Sequence, residues 1–308
     1  MANIFSKAKN LFKSGKYGEL KTKSFDYARY IVLKIWYTLT FQETDSNIKK
    51  VNKNWVVFTY LKAKYKHFLL NYKRIENKTH EYSDIIWWCW LQGEENAPEL
   101  CKSCLTSLKK QMPNKEIKII TAKNLYDYVD FPDFIKEKYK KGIISNTHFS
   151  DLLRLELLTK YGGTWVDATV YCTTYPDYAF NTPLFVFKTK EKNDDATVAQ
   201  NWFMSAEKQN PILTLTRDLL YEYWKNHNSA IHYFIFMSLA ADFYKDEWNE
   251  IPWFPDLPPH ILQRELNKPY SQKRWEQLCR MSDIHKLSYK IDIAKSEKQS
   301  FYKHLLEF

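Results

Sequence analysis

Three polar residues in the middle of the chain have the types and spacing needed to bind a charged, hydroxyl-rich ligand. Asp151 and Arg154 are three residues apart, so a helix would present them on one face. Asp167 follows, beyond a diglycine and an apolar run. Two acids around one bidentate cation suit a ligand that carries hydroxyls and phosphates together with a divalent cation. The alternative roles are a helix cap with an ion pair for Asp151 and Arg154, and a turn former for Asp167.

The elements before these residues form a β-α-β unit. Residues 84–90 are a continuous apolar run, typical of a strand buried in a parallel sheet. A helix over 98–111 and a second strand over 116–120 follow, and this order predicts an α/β domain. The other predicted elements are short helices over 124–129 and 133–141, a strand over 183–189, a helical region over 201–245 and a late strand over 286–291.

The helix that carries the first acid and the arginine is the clearest element of the pattern. It is predicted over residues 150–161, with Ser150 as the N-cap and Gly162-Gly163 at its end. A strand over 164–171 then delivers the second acid near its carboxyl end. Because ligands bind at the carboxyl ends of strands in open α/β sheets, the three residues are expected at one rim.

Composition and charge predict a globular protein with a basic N-terminal region. The 308 residues are 44% hydrophobic and 27% charged, and only 6 are glycine, which excludes whole-chain disorder and collagen-like repeats. Residues 1–82 hold 17 Lys and Arg against 6 Asp and Glu, while the rest of the chain is nearly neutral. We therefore predict a basic helical region over 1–82 and a catalytic domain over 83–308. Such a basic region favours a phosphate-bearing partner, such as anionic lipid or nucleic acid.

A short apolar stretch, Tyr30–Phe41, lies within the basic region. It contains Lys34 and is shorter than the about 20 apolar residues that span a membrane. It is expected either to pack as an amphipathic helix or to lie at an anionic membrane surface. Five cysteines and no secretory signal pattern predict reduced thiols and a cytoplasmic location. If the stretch binds a membrane surface, the protein is expected at the inner face of the cell membrane.

Several stretches resemble glycosyltransferase family 32 and the capsular polysaccharide synthesis protein group. The stretches that carry the resemblance are Ile86–Gly93, Ser150–Arg154, Tyr161–Thr169, Ile231–Phe234 and Ile284–Lys290. The combination of helix, diglycine, strand and aspartate is the specific part, and the last two stretches are weaker. The resemblance implies a GT-A-type, Rossmann-like nucleotide-sugar-binding domain. The predicted fold class is therefore α/β, with a mixed, mainly parallel sheet and helical additions at the C-terminus.

The resemblance also implies retaining transfer of a sugar from a nucleotide-sugar donor, with Mn²⁺ or Mg²⁺ as cofactor. The Asp-x-Asp motif of such enzymes is here Asp167-Ala168-Thr169, in which a hydroxyl replaces the second carboxylate. Either a further residue then binds the metal, for which the resemblance suggests His285, or the metal is held mainly by the donor diphosphate.

Carried over residue by residue, the resemblance assigns the donor site. It predicts Asp151 and Arg154 at the donor-sugar hydroxyls, Asp167 at the metal and ribose, Thr169 among the donor-binding residues, and Lys286 at the departing diphosphate. One of Trp87 and Trp88 would lie against the nucleobase, and the other would pack in the core, because neighbouring strand residues face opposite sides.

Three functions remain open from the sequence. The first is transfer from a UDP-sugar to a glycan or lipid-linked oligosaccharide in bacterial surface or capsular polysaccharide synthesis. The second is a toxin-like transferase that acts on a protein acceptor. The third is a non-catalytic basic protein that binds membrane or nucleic acid. Nucleic acid is not expected as a partner, because charge confined to residues 1–82 does not explain the converging acids and arginine.

Overall fold

Two compact units divide the chain. They are Met1–Tyr72 with Asn193–Ala196, and Lys73–Lys192 with Thr197–Phe308. The computed structural model describes residues 46–76, 80–189, 196–232, 234–291 and 299–307, together with Val32 and Ile35. Apart from these last two residues, which are exposed, the apolar stretch 30–41 lies outside the described residues.

The first unit contains two described helices, α1 (Ser46–Lys64) and α2 (Lys66–Leu70). In α1 the apolar side chains of Val56 and Leu61 are buried and that of Lys62 is exposed, as an amphipathic pattern predicts. Over the described ranges, none of the helices has the length and apolar character to cross a membrane.

A five-stranded mixed sheet forms the centre of the second unit. Its strands are β1 (Ile85–Cys89), β2 (Glu116–Ile120), β3 (Gly163–Val166), β5 (Leu184–Lys188) and β6 (Ala199–Ala206). Their order is β2-β1-β3-β6-β5, where β1 pairs in parallel with β2 and β3. The β3–β6 and β6–β5 pairs are antiparallel. A second, two-stranded antiparallel sheet joins β4 (Val170–Cys172) to β7 (Ile284–Lys286).

Helices cover both faces of the five-stranded sheet. In chain order the helices of this unit, some of which belong to a second core described below, are α3 (Glu99–Gln111), α4 (Leu125–Tyr128), α5 (Asp133–Lys140), α6 (Asn146–Tyr161), α7 (Pro211–Asn226), α8 (Phe234–Phe243), α9 (Lys245–Glu250), α10 (Ile261–Glu265), α11 (Gln272–Met281) and α12 (Phe301–Leu306). Ile86 and Trp88 pack on the same face as Leu105 of α3, in the main core. Trp87 faces the opposite side, where its indole Nε1 donates to Gly162 O at the end of α6.

A second core lies between α3 and the C-terminal helices. Leu100 on α3 and Tyr171 on β4 share it with Leu278 on α11 and Leu305 on α12. The two-stranded sheet therefore separates this core from the main one, since Val170 and Cys172 belong to the main core. The helical C-terminal additions expected from the sequence are confirmed.

The α/β class and the mixed sheet are confirmed, but two predicted features differ. Parallel and antiparallel pairings are equally frequent in the five-stranded sheet, so the sheet is not mainly parallel. Strand β6 occupies the beginning of the region predicted as helical over 201–245. Pairing on both sides with β3 and β5 determines this strand, because its sequence lacks the strict alternation typical of strands.

Helix α6 begins earlier than the sequence predicted. Ser145, not Ser150, is the N-cap, and its side chain accepts a hydrogen bond from the backbone N–H of His148. Asp151 therefore lies in the second turn of the helix rather than the first. The electrostatic environment of Asp151 is therefore determined by its charged neighbours and not by the helix N-terminus.

The diglycine at the end of α6 brings the chain directly against β1. Gly162 and Gly163 have φ angles of 68° and 90°, in the left-handed region that side chains disfavour. A Cβ on Gly163 would lie 2.4 Å from the carbonyl oxygen of Ile85. This close approach sets the register of β3 beside β1, and hence the place of Asp167.

Substituting alanine at this turn is predicted to destabilise the fold. We expect Gly163→Ala to lower the free energy of unfolding by about 3 kcal/mol, because strained backbone and a main-chain clash act together. Gly142→Ala is the matched control, since its φ is 67° but no atom lies within 4 Å of the added Cβ. It should cost about 1 kcal/mol. Urea unfolding followed by tryptophan fluorescence measures both, and equal losses would contradict the close approach.

Candidate active site

The polar residues predicted from the sequence meet at the carboxyl edge of β1 and β3. Trp88 of β1 pairs with Val166 of β3, so both strands end at the same edge. Asp167 comes directly after β3, and its backbone N–H donates to Trp202 O over 2.9 Å. This hydrogen bond and the turn to β4 fix the carboxylate at the rim, where its side chain is 24% exposed.

Asp151 and Arg154 form a buried ion pair on α6. Arg154 Nη2 lies 3.1 Å from Asp151 Oδ1 and 3.5 Å from Asp167 Oδ1, so the guanidinium bridges the two acids. The side chains of Asp151 and Arg154 are only 7% and 6% exposed. Arg154 also lies over the ring of Trp165, 5.0 Å from its centroid. The converging acids and arginine expected from the sequence are thus brought together by the structure.

Lys286 joins this group from the two-stranded sheet. Because β7 pairs with β4, Lys286 lies opposite Val170 and reaches back to the turn after β3. Its Nζ donates to Asp167 Oδ2 over 2.7 Å and to Thr169 Oγ1 over 2.6 Å. Two acids and two cations therefore form one connected group at the rim.

The environment moves the pKa values of the two acids in opposite directions. Burial raises the pKa of Asp151 to about 7, and the nearby Arg154 only partly opposes this. Burial also works against ionisation of Asp167, but Lys286 and Arg154 outweigh it and hold its pKa below the ordinary value. Asp167 is therefore ionised at neutral pH, whereas Asp151 changes charge close to neutral pH.

The two carboxylate oxygens of Asp151 differ in their hydrogen bonding. Asp151 Oδ1 accepts a hydrogen bond from Asn201 Nδ2 over 2.9 Å, while the buried Oδ2 has no partner among the described residues. Asp151 lines two small cavities of about 10 and 20 Å³. Each has room for about one water molecule, or for a ligand hydroxyl in the place of that water.

The raised pKa of Asp151 predicts a pH-dependent stability. The carboxyl stays protonated in the folded state up to about pH 7 but ionises near 3.8 when unfolded. The stabilisation that the protonated carboxyl gives to the folded state is fully present below pH 3.8. It is lost as pH rises towards 7, and the free energy of unfolding then falls by up to about 1.4 kcal/mol per pH unit. Asparagine does not titrate, so the free energy of unfolding of Asp151→Asn should rise relative to that of wild type as pH increases from 4.5 to 7. Urea unfolding at several pH values measures this, and parallel profiles would contradict it.

The structure does not bring together the two residues predicted to bind a divalent metal. On β7, His285 lies between Ile284 and Lys286, so its side chain leaves the opposite face from the lysine. It is fully buried on the side of Tyr171 and Leu287, and burial lowers its pKa to about 4.

The donor set at Asp167 fits a divalent cation poorly. Within the described ranges, His, Cys, Asp and Glu side chains form no group of three that could hold a metal ion. Asp167 Oδ2 and the hydroxyl of Thr169 both accept from the ammonium of Lys286, and Asp167 Oδ1 accepts from Trp165 Nε1 over 2.9 Å. The oxygens that a metal would use are thus already bonded to cationic or N–H donors.

The two tryptophans predicted to contact the nucleobase lie inside the protein. Trp87 and Trp88 are both buried, Trp87 against Tyr128 and Tyr161 and Trp88 in the main core, so neither offers a face to a ligand. The reason is that β1 is covered on both faces, and a ligand can reach only the residues beyond its carboxyl end.

Sequence reasoning missed two features at this rim. Trp90 follows the end of β1 and is half-buried, and its ring meets the exposed ring of Tyr289 edge-on at 5.6 Å. Asn201 on β6 donates to Asp151 and accepts from Arg154 through its backbone oxygen. The position of Trp90 at the end of the apolar run was a usable signal. Asn201 had none, since β6 was not predicted as a strand.

The sequence profile of the capsular polysaccharide synthesis proteins matches residues 37–305. The chain belongs to the capsular polysaccharide synthesis protein family. This match spans most of the chain and includes all the acids and cations of the rim. Two finer assignments stay predictions, namely Asp167-Ala168-Thr169 as a form of the Asp-x-Asp motif and membership of glycosyltransferase family 32.

Two similar proteins carry glycosyltransferase names. The chain is 24% identical to O-glycosyltransferase braB of Annulohypoxylon truncatum, in a match that covers 45% of this chain and 37% of that protein. The chain thus matches little more than a third of the length of that curated relative. The solved structure named PaToxG Glycosyltransferase is 15% identical, with 82% of this chain and 96% of that chain covered and a TM-score of 0.37.

Proposed function

We propose that this chain is a glycosyltransferase that moves a sugar from a nucleotide-sugar donor, a UDP-sugar, to a glycan or lipid-linked acceptor. The observation that carries the proposal is the connected group of Asp151, Arg154, Asp167 and Lys286 at the carboxyl edge of parallel strands. Ligands of α/β sheets bind at this edge. Membership of the capsular polysaccharide synthesis family supports an acceptor in surface polysaccharide synthesis.

The two cations are suited to the donor diphosphate and the two acids to its hydroxyls. Lys286 and Arg154 supply charge-assisted donors within one rim, which is what a diphosphate requires. Asp151 Oδ2 has no partner among the residues described, and Asp151 lines a cavity with space for about one hydroxyl, so we assign this oxygen to the donor sugar. Asp167, which Lys286 and Arg154 hold ionised, would accept from the ribose.

The nucleobase would lie beside Trp90 and Tyr289. Trp90 directly follows the carboxyl end of β1, its ring contacts that of Tyr289, and Tyr289 is three residues after Lys286 and 41% exposed. A flat base stacks on such rings with little dependence on its identity. This assignment replaces the earlier expectation for Trp87 and Trp88, whose faces are covered.

The reaction that fits this site depends on stabilising the leaving group. The bond from the anomeric carbon to the diphosphate breaks, and the negative charge that develops lies beside Lys286 and Arg154. Beyond the acids of the rim, no residue of the described chain is assigned as a nucleophile. A front-face reaction with retention of configuration is therefore the mechanism that we propose.

The basic region over 1–82 would hold the enzyme near its acceptor. Its 17 Lys and Arg against 6 Asp and Glu favour an anionic surface such as the inner face of a cell membrane.

The direct test of the activity is release of nucleoside diphosphate from a panel of UDP-, GDP-, dTDP- and ADP-sugars, without acceptor. We expect slow hydrolysis of at least one donor, and an increase in melting temperature with the same donor, because donor binding does not need the acceptor. The panel is run both with EDTA and with Mn²⁺. No release and no thermal shift from any donor in either condition would contradict the proposed function.

A further inference from the structure

The ammonium of Lys286 occupies the position between Asp167 and residue 169. Its Nζ lies 2.7 Å from Asp167 Oδ2 and 2.6 Å from Thr169 Oγ1, and its side chain is only 19% exposed. The pairing of Val170 with Lys286 holds the lysine there from the backbone. In the Asp-x-Asp pattern, the same two side chains would both be carboxylates.

Replacing the second carboxylate with Thr169 changes what this position can bind. A pair of carboxylates attracts a divalent cation, whereas one carboxylate and one hydroxyl match the single charge and several donors of an ammonium. The ammonium of Lys286 satisfies both groups at once. A dication placed beside it would be repelled at short range and would have only one carboxylate to bind.

The total positive charge at the rim is nevertheless that of a divalent cation. Lys286 contacts one oxygen of Asp167, and Arg154 lies 3.5 Å from the other. Both cations are held by buried or half-buried partners, so they are in place before a ligand arrives. A diphosphate bound here would meet two positive charges without a metal ion.

We propose that Lys286, together with Arg154, replaces the divalent cation, so that donor binding and cleavage in this chain are metal-independent. This inference rests on the proposed glycosyltransferase function. As the bond between the anomeric carbon and the diphosphate oxygen breaks, its electron pair goes to that oxygen. The acceptor oxygen forms the new bond, and its proton passes to the departing phosphate. Lys286 stays protonated and neutralises the charge of the leaving group.

The wild-type protein provides the primary test. After removal of metal with EDTA and gel filtration, we expect UDP, or whichever of GDP, dTDP and ADP the protein binds, to bind as tightly as in the presence of Mn²⁺. Titration calorimetry measures the affinity, and release of the same diphosphate from its sugar measures turnover. Binding or turnover that requires Mn²⁺ would overturn the inference and leave the proposed function standing. Failure of every diphosphate in both conditions would overturn both.

Three variants separate the charge of Lys286 from a structural role. Lys286→Ala should weaken diphosphate binding about 100-fold, as loss of one member of a buried charge pair does, and Lys286→Arg should keep most of it. Lys303→Ala, at an exposed lysine of α12, is the matched control and should bind as wild type does.

The double variant Thr169→Asp with Lys286→Ala rebuilds the two-carboxylate pattern. It should bind the diphosphate only when Mn²⁺ is present, which is a gain that a merely misfolded protein could not show. Unchanged, metal-free binding by Lys286→Ala, or the same metal response in wild type and the double variant, would overturn the inference.

Discussion

Replacing Asp167 with asparagine is expected to lower the rate of donor cleavage by about a thousandfold, the upper range for loss of one charged group that orients the transition state. Asparagine keeps the size and the hydrogen bond from Trp165 Nε1 but loses the charge that holds Lys286 and Arg154. The two cations then lose their common partner. The measurement is kcat/KM for nucleoside diphosphate release from the best donor of the panel.

The effect of Asp167→Asn should be on turnover rather than on folding. The side chain is partly exposed, so solvent can replace some of the lost interaction with the two cations. Asp177→Asn, at an exposed acid of the same unit, is the control and should leave the rate unchanged. A rate for Asp167→Asn within about threefold of the control, which corresponds to less than about 1 kcal/mol of transition-state stabilisation, would exclude Asp167 from the donor site.

Replacing Arg154 with methionine is expected to destabilise the protein by about 3–5 kcal/mol, as removal of one member of a buried ion pair does. Arg154 is the counter-charge of Asp151 and also lies 3.5 Å from Asp167. Without it, the pKa of Asp151 should rise further, because Arg154 is what now lowers it. Guanidinium-induced unfolding at pH 5 and pH 8 measures both effects, and the loss should be larger at pH 8.

Arg154→Lys distinguishes charge from geometry at the same position. A lysine keeps the positive charge but cannot bridge two acids and stack on Trp165 at the same time. Its destabilisation should be intermediate, and its donor affinity should fall. Equal stability of wild type and Arg154→Met at both pH values would mean that the buried ion pair does not form.

Local patterns were sufficient to predict the part of the site that lies on one continuous stretch. Asp151 and Arg154 lie on one helix, and a diglycine and a strand lead from this helix to Asp167. Each of these elements has a signal in the sequence. The α/β order also followed from the apolar run of β1. These elements are set by short-range periodicity and by glycine conformation, which a sequence displays directly.

The parts that could not be predicted depend on pairing between distant strands. Neighbouring residues of β7 face opposite sides, so the register of β7 decides whether His285 or Lys286 faces Asp167. Only the pairing of Lys286 with Val170 on β4 fixes that register. The late strand was predicted over 286–291, whereas β7 is Ile284–Lys286. Asn201 was missed for the same reason, because β6 is a strand through its antiparallel neighbours β3 and β5.

The most direct test of the proposed donor site is a crystal structure of the protein with a bound donor. The donor is the nucleotide sugar from which the protein releases nucleoside diphosphate in the panel. We predict diphosphate oxygens within hydrogen-bond distance of Lys286 Nζ and on the side of Arg154, the donor sugar beside Asp151, and the base at Trp90. A donor bound away from Asp167 would contradict this prediction. So would a diphosphate whose charge is met by other residues while Lys286 stays on Asp167.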